Sequence, residues 1–191
     1  MTTFQLLMLA ATAFFAFRVY EHINALQDPP ESTPQRDSFS PIDPESLMEK
    51  ADKAFAEEDF KRAAALLQEA SVKAPQNSEI LNKLGFVLAK NGDLKAAIEV
   101  YLKSLLADNN DDMTHSAIAS LYRRTSEFDK AKEHYEKAIE IDAEYAVTYY
   151  NYANLLVQLG ENGRAAQLYE KALEIDSDFD EAREELEKLS S

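Results

Sequence analysis

Few side chains in this sequence are of the kinds that make or break bonds, and their spacing narrows what they could do. The three histidines are His22, His115 and His134. No two of them have the spacing of a metal-ligand pair, and the chain has no cysteine. Thiolate zinc sites, thiol nucleophiles and disulfides are therefore excluded. Asp176, Asp178, Asp180 and Glu187 fall at the first, third, fifth and twelfth places of a calcium loop. The sixth place, which needs glycine for its sharp turn, holds Glu181, so calcium is not expected. Four glycines in all leave no room for a glycine-rich phosphate loop. With 35 acidic against 20 basic residues, the net charge is −15. Such a chain repels phosphate backbones, and no nucleic acid is expected. The expectation is a protein without cofactor, metal or catalytic residues, which is no enzyme.

Recognition chemistry is better represented. Lys83, Lys90, Arg123 and Arg124 are cations in an acidic chain, and Asn151 and Asn154 can bond a peptide backbone. Phe86 and Tyr150 can anchor apolar side chains. What these residues do depends on the elements that carry them.

Three regions differ in composition. Residues 4–17 are apolar except for Gln5 and Thr12, and Arg18 follows. Extended to Ile23, the stretch suits a bilayer core of roughly 30 Å. Residues 1–27 are thus read as an uncleaved membrane anchor, since the start lacks the basic residues of a signal peptide. Arg18, on the carboxy-terminal flank, places the rest of the chain in the cytoplasm. Thr12 and Ala16 form a small-xxx-small face through which anchors could pair into a homo-oligomer. Residues 28–43 are a proline-rich linker; with Pro44 they hold five of the six prolines. A polyproline stretch of this length reaches up to about 50 Å.

From Pro44 onward the apolar pattern takes a helical period and repeats every 34 residues without gaps. The windows are 44–77, 78–111, 112–145 and 146–179, and one further helical stretch, 180–191, reads as a polar-faced cap. Window position 20 holds Ala63, Ala97, Ala131 and Ala165. Position 8 holds Ala51, Gly85, Ala119 and Ala153. Position 24 holds Leu67, Tyr101, Tyr135 and Tyr169, and position 27 holds Ala70, Ser104, Ala138 and Ala172. Small residues at positions 8 and 20 let two antiparallel helices approach closely. A single pair cannot bury its own apolar face, so the pairs must stack.

This spacing resembles the tetratricopeptide repeat (TPR) family over residues 44–179. The resemblance implies an all-α, right-handed solenoid of four helix pairs with a carboxy-terminal capping helix, here joined to a separate amino-terminal transmembrane helix. It also implies a concave groove lined by the first helix of each pair. Groove positions include Asn82, Lys83, Phe86 and Lys90 in the second repeat, Arg123 and Arg124 in the third, and Tyr150, Asn151 and Asn154 in the fourth. Glu45, Glu49, Asp52 and Glu79 form an acidic end, and the cations follow. The expected ligand is a protein or an extended peptide with acidic side chains or a free carboxylate. The family's carboxylate-clamp pattern is absent: its register here gives Met48, Asp52, Lys83, Met113 and Ala117. Two roles are consistent with such a groove: a membrane-tethered cytoplasmic scaffold, or an assembly factor facing the periplasm. His115, at position 4, is read as packing.

Overall fold

The computed structural model describes residues 43–190. The expected anchor, 1–27, and all but the last residue of the linker lie outside them. Nine α-helices and no strands are found among the described residues. They are α1 (Pro44–Ala56), α2 (Phe60–Lys73), α3 (Ser78–Asn91), α4 (Leu94–Ala107), α5 (Asp112–Arg124), α6 (Phe128–Ile141), α7 (Ala146–Gln158), α8 (Asn162–Ile175) and α9 (Asp180–Ser190). None is long and apolar enough to cross a membrane. Each odd-numbered helix up to α7 begins on the first residue of a 34-residue window.

Local chemistry sets these ends. Asp43, Asp59, Asn77 and Asp111 each cap a helix by accepting a hydrogen bond from the backbone N–H three residues on. Pro44 takes a first-turn place where its missing N–H costs nothing. The turn inside each pair passes through one left-handed residue, always at window position 15: Glu58, Gly92, Ser126 and Gly160. Glycine adopts that conformation freely, whereas Glu58 and Ser126 adopt it at a cost.

Packing follows the repeat. The position-20 alanines are fully buried, as are Tyr135 and Tyr169 at position 24. In the third and fourth repeats position 24 is tied to position 9. The Tyr135 hydroxyl bonds Ser120 at 2.9 Å, and the Tyr169 hydroxyl donates to Asn154 at 2.7 Å. The core is uneven along the stack. A small cluster joins Leu47, Ala70 and Ile80. A second gathers around Leu67 and Leu84, and the largest runs from Ala97 to Ala182. On α9, Ala182 is buried and Leu186 and Leu189 pack against that largest cluster.

Candidate peptide-binding face

The second repeat departs from its neighbours at positions 8 and 9. There the others pair alanine with a polar residue, Asp52, Ser120 or Asn154; this one has Gly85 and Phe86. Phe86 offers no acceptor, and among the described residues the Tyr101 hydroxyl makes no hydrogen bond. Burial pushes that hydroxyl up to about 12, with the Asp111 charge adding. The Tyr101 ring sits low over Gly85, where a Cβ would lie 2.9 Å from three of its atoms. Phe86 itself is 46% exposed. It rests on Phe55 at 5.5 Å between ring centroids, and the Lys90 ammonium lies 5.4 Å from its centroid.

Between α3 and α5 this leaves a cleft of about 230 Å³ lined by Phe86, Ala89, Lys90, Tyr101, Ala117, Ser120, Leu121 and Arg124. Its floor is aromatic and aliphatic, and its rim carries two cations. Among the described residues neither Lys90 nor Arg124 has a carboxylate within ion-pair distance. The cleft has room for one large apolar side chain, and a carboxylate at its rim would face two cations.

The other sequence-predicted residues divide by what already holds them. Lys83 is not a free cation: its ammonium lies 2.8 Å from Asp52 and 3.9 Å from Glu79. It belongs with the acidic end, whereas the sequence pattern sets it among the cations that follow. Asn82 is also engaged, donating to Asp111 at 2.8 Å while the Thr114 hydroxyl lies 2.9 Å from its carbonyl. Burial would raise the Asp111 carboxyl, but bonds from the Thr114 hydroxyl and backbone and from Asn82 hold it below the usual range. Together these three side chains clamp the second repeat to the third. Tyr150 is wedged between Tyr169 and Phe179, at 5.8 and 5.0 Å. Arg123 is half-buried against the Tyr135 hydroxyl, with its Nε buried and unpaired among the described residues. The Asn154 carbonyl is taken by Tyr169. Its amide N–H groups, and the whole carboxamide of Asn151, make no bond among the described residues. Tyr101 and Leu121 line the cleft without belonging to the sequence-predicted set; the paired change at positions 8 and 9 was the signal for Tyr101, and nothing in the sequence singles out Leu121.

His115 packs as expected at position 4, but not alone. Its Nδ1 lies 3.0 Å from Nδ1 of His134. Burial holds both imidazoles below the usual histidine value, and for His134 the neighbouring His115 lowers it further. Glu133, Glu136, Lys137 and Glu140 surround the pair. Among the described residues no three His, Asp or Glu side chains are placed to hold a metal.

Comparison with known proteins agrees with this fold. No curated protein sequence matches the chain significantly. Among solved structures, MamA is 25% identical, with a TM-score of 0.70 over 76% of this chain and 80% of that one. The first TPR domain of Spaghetti (RPAP3), bound to the HSP90 peptide SRMEEVD, is 28% identical. Its TM-score is 0.58 over 60% of this chain and 91% of that one. YrrB, described as a TPR protein with an unusual peptide-binding site, shares the fold at 19% identity and a TM-score of 0.67. It covers 74% of this chain and 73% of its own. Two tetratricopeptide repeat profiles match residues 54–121 and 111–178, which together span most of the chain. With the four-fold register and the stacked helix pairs, these matches establish that the chain belongs to the tetratricopeptide repeat family.

Proposed function

We propose that this protein is a membrane-tethered scaffold that holds a partner protein by an extended acidic segment. The observation that carries the reading is the Phe86 cleft, an apolar pocket rimmed by Lys90 and Arg124 in a chain of net charge −15. A partner side chain such as Leu or Phe fills the cleft. An adjacent carboxylate pairs with the two cations, and Asn151 and Asn154 bond the peptide backbone further along. The RPAP3 domain lends support, since the peptide bound to it carries two glutamates and an aspartate. Residues 4–23 would hold the scaffold in the membrane. Confinement there raises the effective concentration of a weakly binding partner.

A random heptapeptide library displayed on phage tests the groove. Selection on the full chain should enrich acidic residues beside a large apolar one. Lys90→Glu with Arg124→Glu should weaken those peptides by at least about tenfold, because like charges then meet. Lys83→Glu should leave them nearly unchanged. Retention by the double variant refutes the cleft as the site. The tether is tested separately. Ser191→Cys introduces a lone cysteine, and a membrane-impermeant maleimide should label it only after lysis if the repeats are cytoplasmic.

A further inference from the structure

We infer that the outer face of α2 and α4 is a surface through which two copies of this chain associate about a two-fold axis. Window positions 26 and 29 face outward on the second helix of every repeat. In α6 they hold Lys137 and Glu140, which pair at 2.8 Å; in α8, Lys171 and Glu174 pair at 3.1 Å. In α2 and α4 the pattern breaks. Position 29 is apolar, with Val72 73% and Leu106 88% exposed. Position 26 carries opposite charges, Glu69 in α2 and Lys103 in α4. Among the described residues, neither has an ion-pair partner. The patch runs across both repeats, because Pro75 and Gln76 share a surface hollow of about 380 Å³ with Lys103 and Leu106.

The occupant follows from symmetry and charge. Take a two-fold axis that runs along α2 and α4, in front of their exposed face and midway between the two. It sets α2 of one copy on α4 of the other with equivalent positions at equal height. Glu69 then meets Lys103 of the second copy, and Val72 meets its Leu106, each contact made twice. Applied to α6 and α8, the same operation sets Lys137 on Lys171 and Glu140 on Glu174. Only the first two repeats are self-complementary. Two chains of charge −15 repel one another over most of their surface. Residues 70–78 and 100–107, which hold the apolar patch, contain no Asp or Glu.

Sedimentation equilibrium of the full chain, in density-matched detergent, tests this. Wild type should shift from monomer to dimer mass with rising concentration. Glu69→Lys alone and Lys103→Glu alone should each raise the dissociation constant by at least about tenfold, since each creates two like-charge contacts per dimer. Mixed in equal amounts, these two variants should recover the dimer, because each then presents the charge that the other lacks. Leu106→Glu should remain monomeric yet melt no lower than wild type, as it recreates the Lys–Glu spacing of α6 and α8. A wild type that stays monomeric overturns the proposal. So does a mixture that fails to recover, or a dimer that survives every variant, as one held through residues 4–23 would.

Discussion

Gly85→Ala separates two effects of opposite sign. Within a helix, alanine is favoured over glycine by about 1 kcal/mol. Against that, the new Cβ would lie 2.9 Å from three atoms of the Tyr101 ring. Overpacking of this kind costs about 1–3 kcal/mol. Tyr101 is buried and flat, so the contact cannot be relieved at the tip of a flexible chain. The ring must tilt toward the Phe86 cleft. We expect a net loss of about 1 kcal/mol, or about 2–4 °C in melting temperature for a unit of this size. Gly163→Ala is the control, since nothing lies within 4 Å of its added methyl. Both variants would be melted in the full chain, followed by circular dichroism. Gly163→Ala should be neutral or slightly stabilising and Gly85→Ala destabilising. Peptides selected on the wild type should also bind Gly85→Ala more weakly, because the tilted ring narrows the cleft. If Gly85→Ala melts as high as Gly163→Ala and binds as wild type does, the close approach of Tyr101 does not shape the cleft.

Other expectations follow from the same geometry. Ser126 holds a left-handed turn at φ 63°, as Gly92 does at 92°, so Ser126→Gly should stabilise by about 0.5–1 kcal/mol in a denaturant titration. Thr114→Val should cost about 1–3 kcal/mol by the same titration, because it removes the hydroxyl lying 2.6 Å from the Asp111 carboxylate. Ala131→Leu should overpack the fully buried crossing of α5 and α6 by about 1–3 kcal/mol, read as an earlier melt. His115 and His134 bind protons less readily folded than unfolded. Their contribution is therefore complete above the ordinary histidine value of 6.5 and is lost as pH falls below it, levelling off beneath the folded values. Melting temperature between pH 7.5 and 5 should fall more steeply for wild type than for His134→Gln.

The solenoid was legible because its rule is short-range and repeated. A close crossing of paired helices demands a small residue at one fixed place, and alanine returns there every 34 residues. The observed helix starts keep that register. Phe86, Lys90 and Arg124 were also legible, since groove position follows from repeat position. What single positions do not encode is pairing across repeats. Lys83 and Asp52 are 31 residues apart in the chain, and only their stacking brings the ammonium to the carboxylate. Tyr150 has the chemistry of an anchor, but Tyr169 and Phe179 close around it. Tyr101 has the sequence pattern of ordinary core. Its role at the cleft arises from what Phe86 cannot do, which is bond a tyrosine hydroxyl as Ser120 bonds that of Tyr135.

The uneven core has a mechanical side. Force applied at Asp43 loads α1 first, and α1 meets α3 only through the two smaller clusters, around Leu47 and around Leu84, with the Asp52–Lys83 ion pair and the Phe55–Phe86 ring contact beside them. Helices in such a stack hold mainly to their neighbours, so tension is not shared across the whole molecule. The stack should therefore yield from its amino-terminal end like an unzipping seam. The larger cluster from Ala97 to Ala182 would resist longest. A pull on the leading segment would peel away α1 and α2, stripping Phe55 from beneath Phe86 and exposing one side of the cleft. In a single-molecule pulling record this would read as a low-force step followed by a higher one.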